Sequence, residues 1–181
     1  MGRLSILGAL LLLSATSAMA QGEPVAHPTE IQAGVGFTFD SFNEVPGTTA
    51  NNFGFNASLV SYRDWLGAEA EGSDSFGSQS GQMTQLMFVG GGIRVRWPNF
   101  RSVQPWLHGV VGYSRFSPNS VIGNHSSFGD KAGGGIDFIP GNGHGRIRFR
   151  IAVDMFNTNF FNTHQVSPEG SAGIVISLGR Y

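Results

Sequence analysis

From residue 30 onward the chain alternates hydrophobic with polar or small residues, in runs separated by turn-rich segments. Within 30–40, Ile31, Ala33, Val35, Phe37 and Phe39 share one parity, and Gln32, Gly34, Gly36, Thr38 and Asp40 share the other. Around 145–156, Ile147, Phe149, Ile151, Val153 and Met155 are set against Arg146, Arg148, Arg150, Ala152 and Asp154. Near the C-terminus, Ala172, Ile174, Ile176 and Leu178 alternate with Gly173, Val175, Ser177 and Gly179. A period of two is that of a strand with unlike faces, and no sustained 3.6-residue period follows residue 28. Eight strands are predicted, at 30–41, 52–61, 66–73, 83–96, 103–115, 127–138, 145–156 and 169–181. The segments 42–51, 74–82, 116–126 and 157–168 hold 10, 9, 11 and 12 residues, whereas 62–65, 97–102 and 139–144 hold 4, 6 and 6.

An even number of strands with alternating long and short connections predicts an all-β fold: an eight-stranded antiparallel up-and-down transmembrane β-barrel of the outer-membrane type. In hydrocarbon a backbone must satisfy its own hydrogen bonds, so strands cross only as a closed barrel. The apolar parity then faces lipid: Ile31, Val35, Phe37, Phe39, Ile147, Phe149, Ile151, Val153, Ile174, Ile176 and Leu178. The opposite parity fills a lumen just wide enough for side chains. That inward set carries Asp40, Glu69, Glu71, Asp137 and Asp154 with Arg94, Arg96, Lys131, Arg148 and Arg150, five acids against five bases. Charges withdrawn from water need partners, so a paired network and a plugged lumen are expected. Inward glycines (Gly34, Gly36, Gly54, Gly133, Gly135, Gly173) are expected to leave room for the arginines. Trp65, Trp97, Tyr113, Phe116 and Tyr181 fall near strand ends, where interface aromatics gather. In 83–96, Leu86 and Phe88 share the parity of Arg94 and Arg96, so a phase-switching bulge is predicted at Gly90-Gly91-Gly92.

Ahead of the strands, Arg3 precedes an apolar run from Leu4 to Leu13, then small residues around Met19 with an A-x-A pattern ending at Ala20. This reads as a secretory signal peptide (1–20) cleaved after Ala20, too short for a spanning helix. A short lead, 21–29, then precedes the barrel domain, 30–181. Composition agrees with export into a membrane. Charged residues are 13%, about half the ~25% of soluble domains, and 27 glycines are about twice the usual ~7% share. The net charge of −1 argues against nucleic acid as a partner. With no cysteine, disulfides, thiolate metal sites and cysteine nucleophiles are excluded.

Several segments resemble one family. Trp97-Pro-Asn-Phe-Arg-Ser-Val-Gln-Pro-Trp-Leu-His-Gly-Val-Val-Gly112 is similar to the strand–turn–strand segment of small bacterial outer-membrane β-barrel proteins. Asn56–Ala70, Gly133–Phe138, Arg146–Asp154 and Ser171–Gly179 fit the same family. The resemblance covers the mature chain and is to the membrane domain of outer membrane protein A and to outer membrane protein X. It implies location in the cell outer membrane, contact with outer-membrane lipid, and delivery to the outer-membrane assembly machinery through the C-terminal strand. The peptidoglycan-binding domain of outer membrane protein A has no counterpart after the last strand, and Tyr181 is out of phase with Ile174, Ile176 and Leu178. The resemblance carries no catalytic residues.

The five histidines (His27, His108, His125, His144, His164) form no H-x-H or H-E-x-x-H pattern, so no metal site and no cofactor are expected. His108 has inward parity and is expected to hydrogen-bond within the lumen. Gly141-Asn-Gly-His-Gly145 reads as a turn. A loop-binding partner would meet the pair Phe160-Phe161, unless that pair folds over the barrel mouth. Two alternatives stand beside a non-enzymatic structural or surface-interaction role. One is a soluble exported barrel holding a small apolar ligand, as lipocalins do, with its apolar face inward. The other is a lipid A-modifying hydrolase, for which Ser120, His125, Ser126, His164 and Glu169 are the available loop residues.

Overall fold

The computed structural model describes residues 29–45, 48–79, 82–98, 100–118, 123–141, 145–160 and 164–180. Eight strands run in chain order: β1 Thr29–Val45, β2 Thr48–Arg63, β3 Leu66–Gln79, β4 Gln82–Arg96, β5 Val103–Pro118, β6 His125–Phe138, β7 Ile147–Thr158 and β8 Gln165–Arg180. Each pairs antiparallel with the next, and β8 pairs with β1 from Glu30↔Arg180 to Asp40↔Glu169, closing the barrel. Ala20 and Tyr181 lie outside the described residues. The register shifts between Ile31 and Gln32 against β8, so that Gly179 rather than Leu178 stands opposite Ile31.

The slant of the wall follows from the pairing. From Asp40 the paired positions lead through Glu169, Asp154, Gly133, His108, Arg94, Gly67 and Tyr62 back to β1 at Glu30. The circuit returns about ten residues lower on the same strand, which for eight strands ~4.8 Å apart and ~3.3 Å per residue is a tilt of about 40°. One slanting row of backbone partners therefore carries Asp40, Glu169, Asp154, His108, Arg94 and Glu30. Charged residues far apart in sequence are stacked inside the lumen by this stagger.

Polarity is reversed relative to a soluble barrel. Val35, Phe37, Phe53, Phe55, Ile151 and Val153 are exposed, whereas Glu69, Arg94, Lys131, Asp137 and Arg150 are buried. That excludes the arrangement with an apolar interior along the whole lumen. The outward positions from Ile147 to Met155 are all apolar, and with the stagger of neighbouring strands the band is roughly 25 Å tall, the height of an outer-membrane hydrocarbon face. Trp65, Trp97 and Phe100 are exposed at the end where the chain termini emerge; Phe53, Phe76, Tyr113 and Phe128 are exposed towards the other end.

Three expectations are corrected. The long connections are absorbed by the strands: 46–47 and 80–81 join β1–β2 and β3–β4, and 119–124 and 159–164 join β5–β6 and β7–β8. At the opposite rim the connections are 64–65, 97–102 and 139–146. Alternation stops marking a strand once its outward residues (Asn51, Ser78, Arg115, Ser126) stand in water, yet the backbone pairs continue. The asymmetry of the two ends is therefore an overhang of polar strand, not loop length. No bulge interrupts Gly90–Gly92, where β4 pairs continuously on both sides. Leu86 and Phe88 consequently face inward with Arg94, since the upper lumen is apolar. Phe116, expected at the membrane interface, is buried in that same cluster.

Ile151 sits mid-height on the outer wall. An Ile151→Arg substitution is expected to destabilise the folded barrel by ~2–4 kcal/mol, and Asn51→Arg on the polar overhang by ~0–1 kcal/mol. Urea unfolding in lipid, read by gel mobility of unheated samples, measures both.

Candidate functional site: the lumen

Each lumenal group is placed by the parity of its strand and the slant of the rows. At the terminus end, Glu30 is the centre. Arg148 Nη2 donates to Glu30 Oε1 (2.7 Å) and Arg96 Nη1 to Oε2 (2.6 Å); Gln32 and Ser177 donate to Oε1 as well. Arg148 also donates to Gln104 Oε1 at 2.6 Å. At mid-height, Asp137 accepts two bonds from Arg150, Nε to Oδ1 (2.7 Å) and Nη2 to Oδ2 (2.8 Å), and one from Trp106 Nε1 (3.0 Å). Two guanidinium groups lie over the Trp106 ring, Arg94 at 3.9 Å and Arg150 at 4.8 Å from its centroid. Such stacking suits arginine, whose weakly hydrated planar cation tolerates burial against a ring.

Arg94 is paired bidentately with Glu69. His108 contacts Glu69 Oε2 through Nδ1 (3.1 Å) and Asp154 Oδ1 through Nε2 (2.9 Å). Both contacts are hydrogen bonds only when both ring nitrogens carry a proton, because a carboxylate only accepts. Above them Lys131, 1% exposed, donates to Glu71 (3.0 Å), Glu169 (3.0 Å) and Ser73 (3.1 Å), using all three ammonium protons. The same ammonium lies 4.9 and 5.0 Å from the rings of Phe88 and Phe156. Those rings open an apolar plug of Leu86, Phe88, Val110, Phe116, Phe156 and Phe160 towards the overhanging end. Phe160 is buried against Phe116, ring centroids 5.9 Å apart, so this member of the suspected surface pair folds into the mouth; Phe161 lies outside the described residues.

All ten residues proposed for the charge network have inward positions, but they do not make one matched set. Asp40 is held by the amide of Asn52 (2.8 Å), not by a cation within ion-pair distance. Glu30 and Glu169 are the missed members, and each pairs with residues proposed from the sequence. Parity could have found both, because Glu30 is in phase with Gln32 and Glu169 with Gly173; both sat at predicted strand ends. A doubly protonated His108 would offset one of the extra acids. The inward glycines make room chiefly for other groups. A Cβ on Gly133 would collide with Asp154 Oδ1, and one on Gly135 would stand 2.6 Å from the Trp106 ring.

The proposed lipid-facing residues all take the outward parity, Ile31 being half-buried and the others exposed. Two acids on that wall were missed, Asp74 and Asp130. Gln85 donates to Asp74 (2.9 Å) and Asn157 to Asp130 (2.8 Å), so each carboxylate at the upper girdle has an amide neighbour.

Free space beside the mid-height network is small. A pocket beside Glu71, Arg94, His108, Arg150 and Asp154 has a volume of about 30 Å³, room for one or two water molecules. Glu69, Glu71 and His108 lie close enough to offer atoms to a metal, but Arg94 and Lys131 already occupy those carboxylates. Of the residues suggested for a hydrolase, Ser126 and Glu169 lie on opposite faces of the wall. Ser126 points outward and bonds Tyr113, whereas Glu169 points inward to Lys131. His164 is exposed, and Ser120 lies outside the described residues.

No protein-family model and no curated protein sequence matches the chain. Among solved structures, it is similar to Neisserial surface protein A at 15% identity and TM-score 0.65, over 83% of this chain and 97% of that one. The attachment invasion locus protein Ail of Yersinia pestis, crystallised with the heparin analogue sucrose octasulfate, is similar at 16% identity and TM-score 0.56, over 82% and 99%. The outer membrane enzyme PagL is similar at 13% identity and TM-score 0.53, over 81% and 98%.

Removing Glu69 leaves Arg94 and His108 without their shared acceptor. Glu69→Ala is expected to cost ~3–5 kcal/mol, the range for breaking one side of a buried ion pair. Glu69→Leu combined with Arg94→Met is expected to recover part of that loss, measured by urea unfolding of the reconstituted protein.

Proposed function

The fold is that of the small bacterial outer-membrane barrels, and we propose that this chain works as one of them, exported by a cleaved signal peptide and inserted in the outer membrane. Its role is non-enzymatic: a plugged barrel that acts structurally or through surface contacts of the overhanging rim. The observation that carries the reading is the reversed polarity of the wall. A charged, hydrogen-bonded lumen inside an apolar exterior is stable only with hydrocarbon outside. On this reading the termini and the connections 64–65, 97–102 and 139–146 are periplasmic, and the overhang with its turns is extracellular. Outer-membrane lipid is the immediate partner, and the assembly machinery engages the last strand.

The surface-contact role is supported by the likeness to a Neisserial surface protein and to an attachment protein. An enzyme shares the fold as well. The non-catalytic reading is favoured here by the opposite orientations of Ser126 and Glu169 and by the ion pair that occupies Glu169.

The detergent-extracted protein is expected in the outer-membrane fraction, with a gel mobility that changes on boiling. A soluble periplasmic product would overturn the reading. In planar bilayers the expected conductance is at baseline, and a stable, large ohmic pore would contradict the plugged lumen. Purified protein with His125→Ala and His164→Ala is expected to match the parent in any lipid hydrolysis assay, both at background.

A further inference from the structure

The two ends of the barrel carry different exposed charges. Among the described residues, Arg63, Arg101 and Arg146 are exposed at the terminus-end rim and take part in none of the salt bridges of the lumen, while one acid, Asp64, is exposed on the same rim beside Arg63. They stand at three successive connections of that rim: the end of β2, the 97–102 turn and the 139–146 turn. In an eight-stranded ring these are about a quarter-turn apart, and the fourth quarter is where the chain ends emerge. Trp65, Trp97 and Phe100 share the rim and are 60%, 46% and 79% exposed. Towards the other end the outward ionisable groups include Asp74 and Asp130, each bonded to an amide, with one exposed arginine, Arg115.

We propose that the arginine rim is a binding belt for the phosphates of anionic glycerophospholipids in the leaflet that meets the termini. The proposal rests on the bilayer reading above. Aromatic rings at this level sit among headgroups, and an arginine beside them can lay its stem along acyl chains and present its guanidinium to a phosphate. The planar fork suits a phosphodiester, and three exposed arginines spread around one rim can each meet an anionic headgroup. The rings and cations act together: the rings set the depth, and the arginines select the headgroup.

The barrel reports on this belt with its own fluorescence. Of its three tryptophans, Trp65 and Trp97 face outward at the rim, and Trp106 is buried in the lumen. The full mature protein is reconstituted in phosphatidylcholine bilayers containing equal small fractions of brominated phosphatidylglycerol or brominated phosphatidylcholine. At low salt the anionic lipid is expected to quench as though enriched about fivefold at the rim, the factor expected for a basic residue at an anionic surface. The preference is expected to vanish in the R63Q/R101Q/R146Q variant and to weaken strongly in ~0.5 M salt, where charges more than a few ångströms apart are screened. If the triple variant does not fold, R101Q and R146Q singly are each expected to lower the preference. Equal quenching by the two lipids at low salt, or a preference that survives the substitutions, overturns the proposal. Failure of the bilayer reading is distinguishable, because neither lipid then quenches and no heat-dependent mobility shift is seen.

Discussion

Closure of the β1–β8 seam is the constraint on which everything else rests. In hydrocarbon an unpaired N–H or C=O has no water to turn to, so one open edge would expose a row of costly groups. The seam runs from Glu30↔Arg180 to Asp40↔Glu169 and makes every strand an interior one. Closure also fixes the stagger, since eight strands meet only at particular registers. The stagger then decides which inward residues become neighbours.

Those neighbours form layers. Glu30 gathers Arg96 and Arg148 near the terminus end, Asp137 and Glu69 hold Arg150 and Arg94 around Trp106, and Lys131 binds Glu71 and Glu169 higher up. Above Lys131 the chemistry changes, and aromatic rings close the lumen. Lys131 joins the two regions, with carboxylates against its protons and ring faces of Phe88 and Phe156 nearby. The lumenal side chains are polar at mid-height and apolar at the overhanging mouth. On the proposed reading of a plugged lumen, the two rims and the outer wall are the surfaces through which the barrel acts.

The alternation of Ile147 to Met155 against Arg148, Arg150 and Asp154 made a two-faced strand legible, and the eight such runs made the barrel legible. Which parity faced lipid followed from the need to pair charges. What alternation could not carry was any rule for apolar residues on the inward parity. Leu86, Phe88 and Phe116 looked misplaced or interfacial, yet they fill the upper lumen, where packing replaces hydration. Strand ends were misplaced for a related reason. Beyond the apolar band the outward positions are polar, so the pattern fades while the backbone ladder continues.

The sequence by itself determined the period, the strand count and the inward parity of Asp137, Arg150 and Lys131, because these depend on each residue and its near neighbours. Only the tertiary structure decided that His108 lies between Glu69 and Asp154, 39 and 46 residues away. Only it decided that Lys131 meets Glu71 and Glu169 and that Phe160 folds onto Phe116. The physical reason is the shear of the closed barrel. Partners across the lumen are set by a stagger of about ten residues accumulated over eight pairings, a quantity belonging to the ring as a whole and written in no single strand.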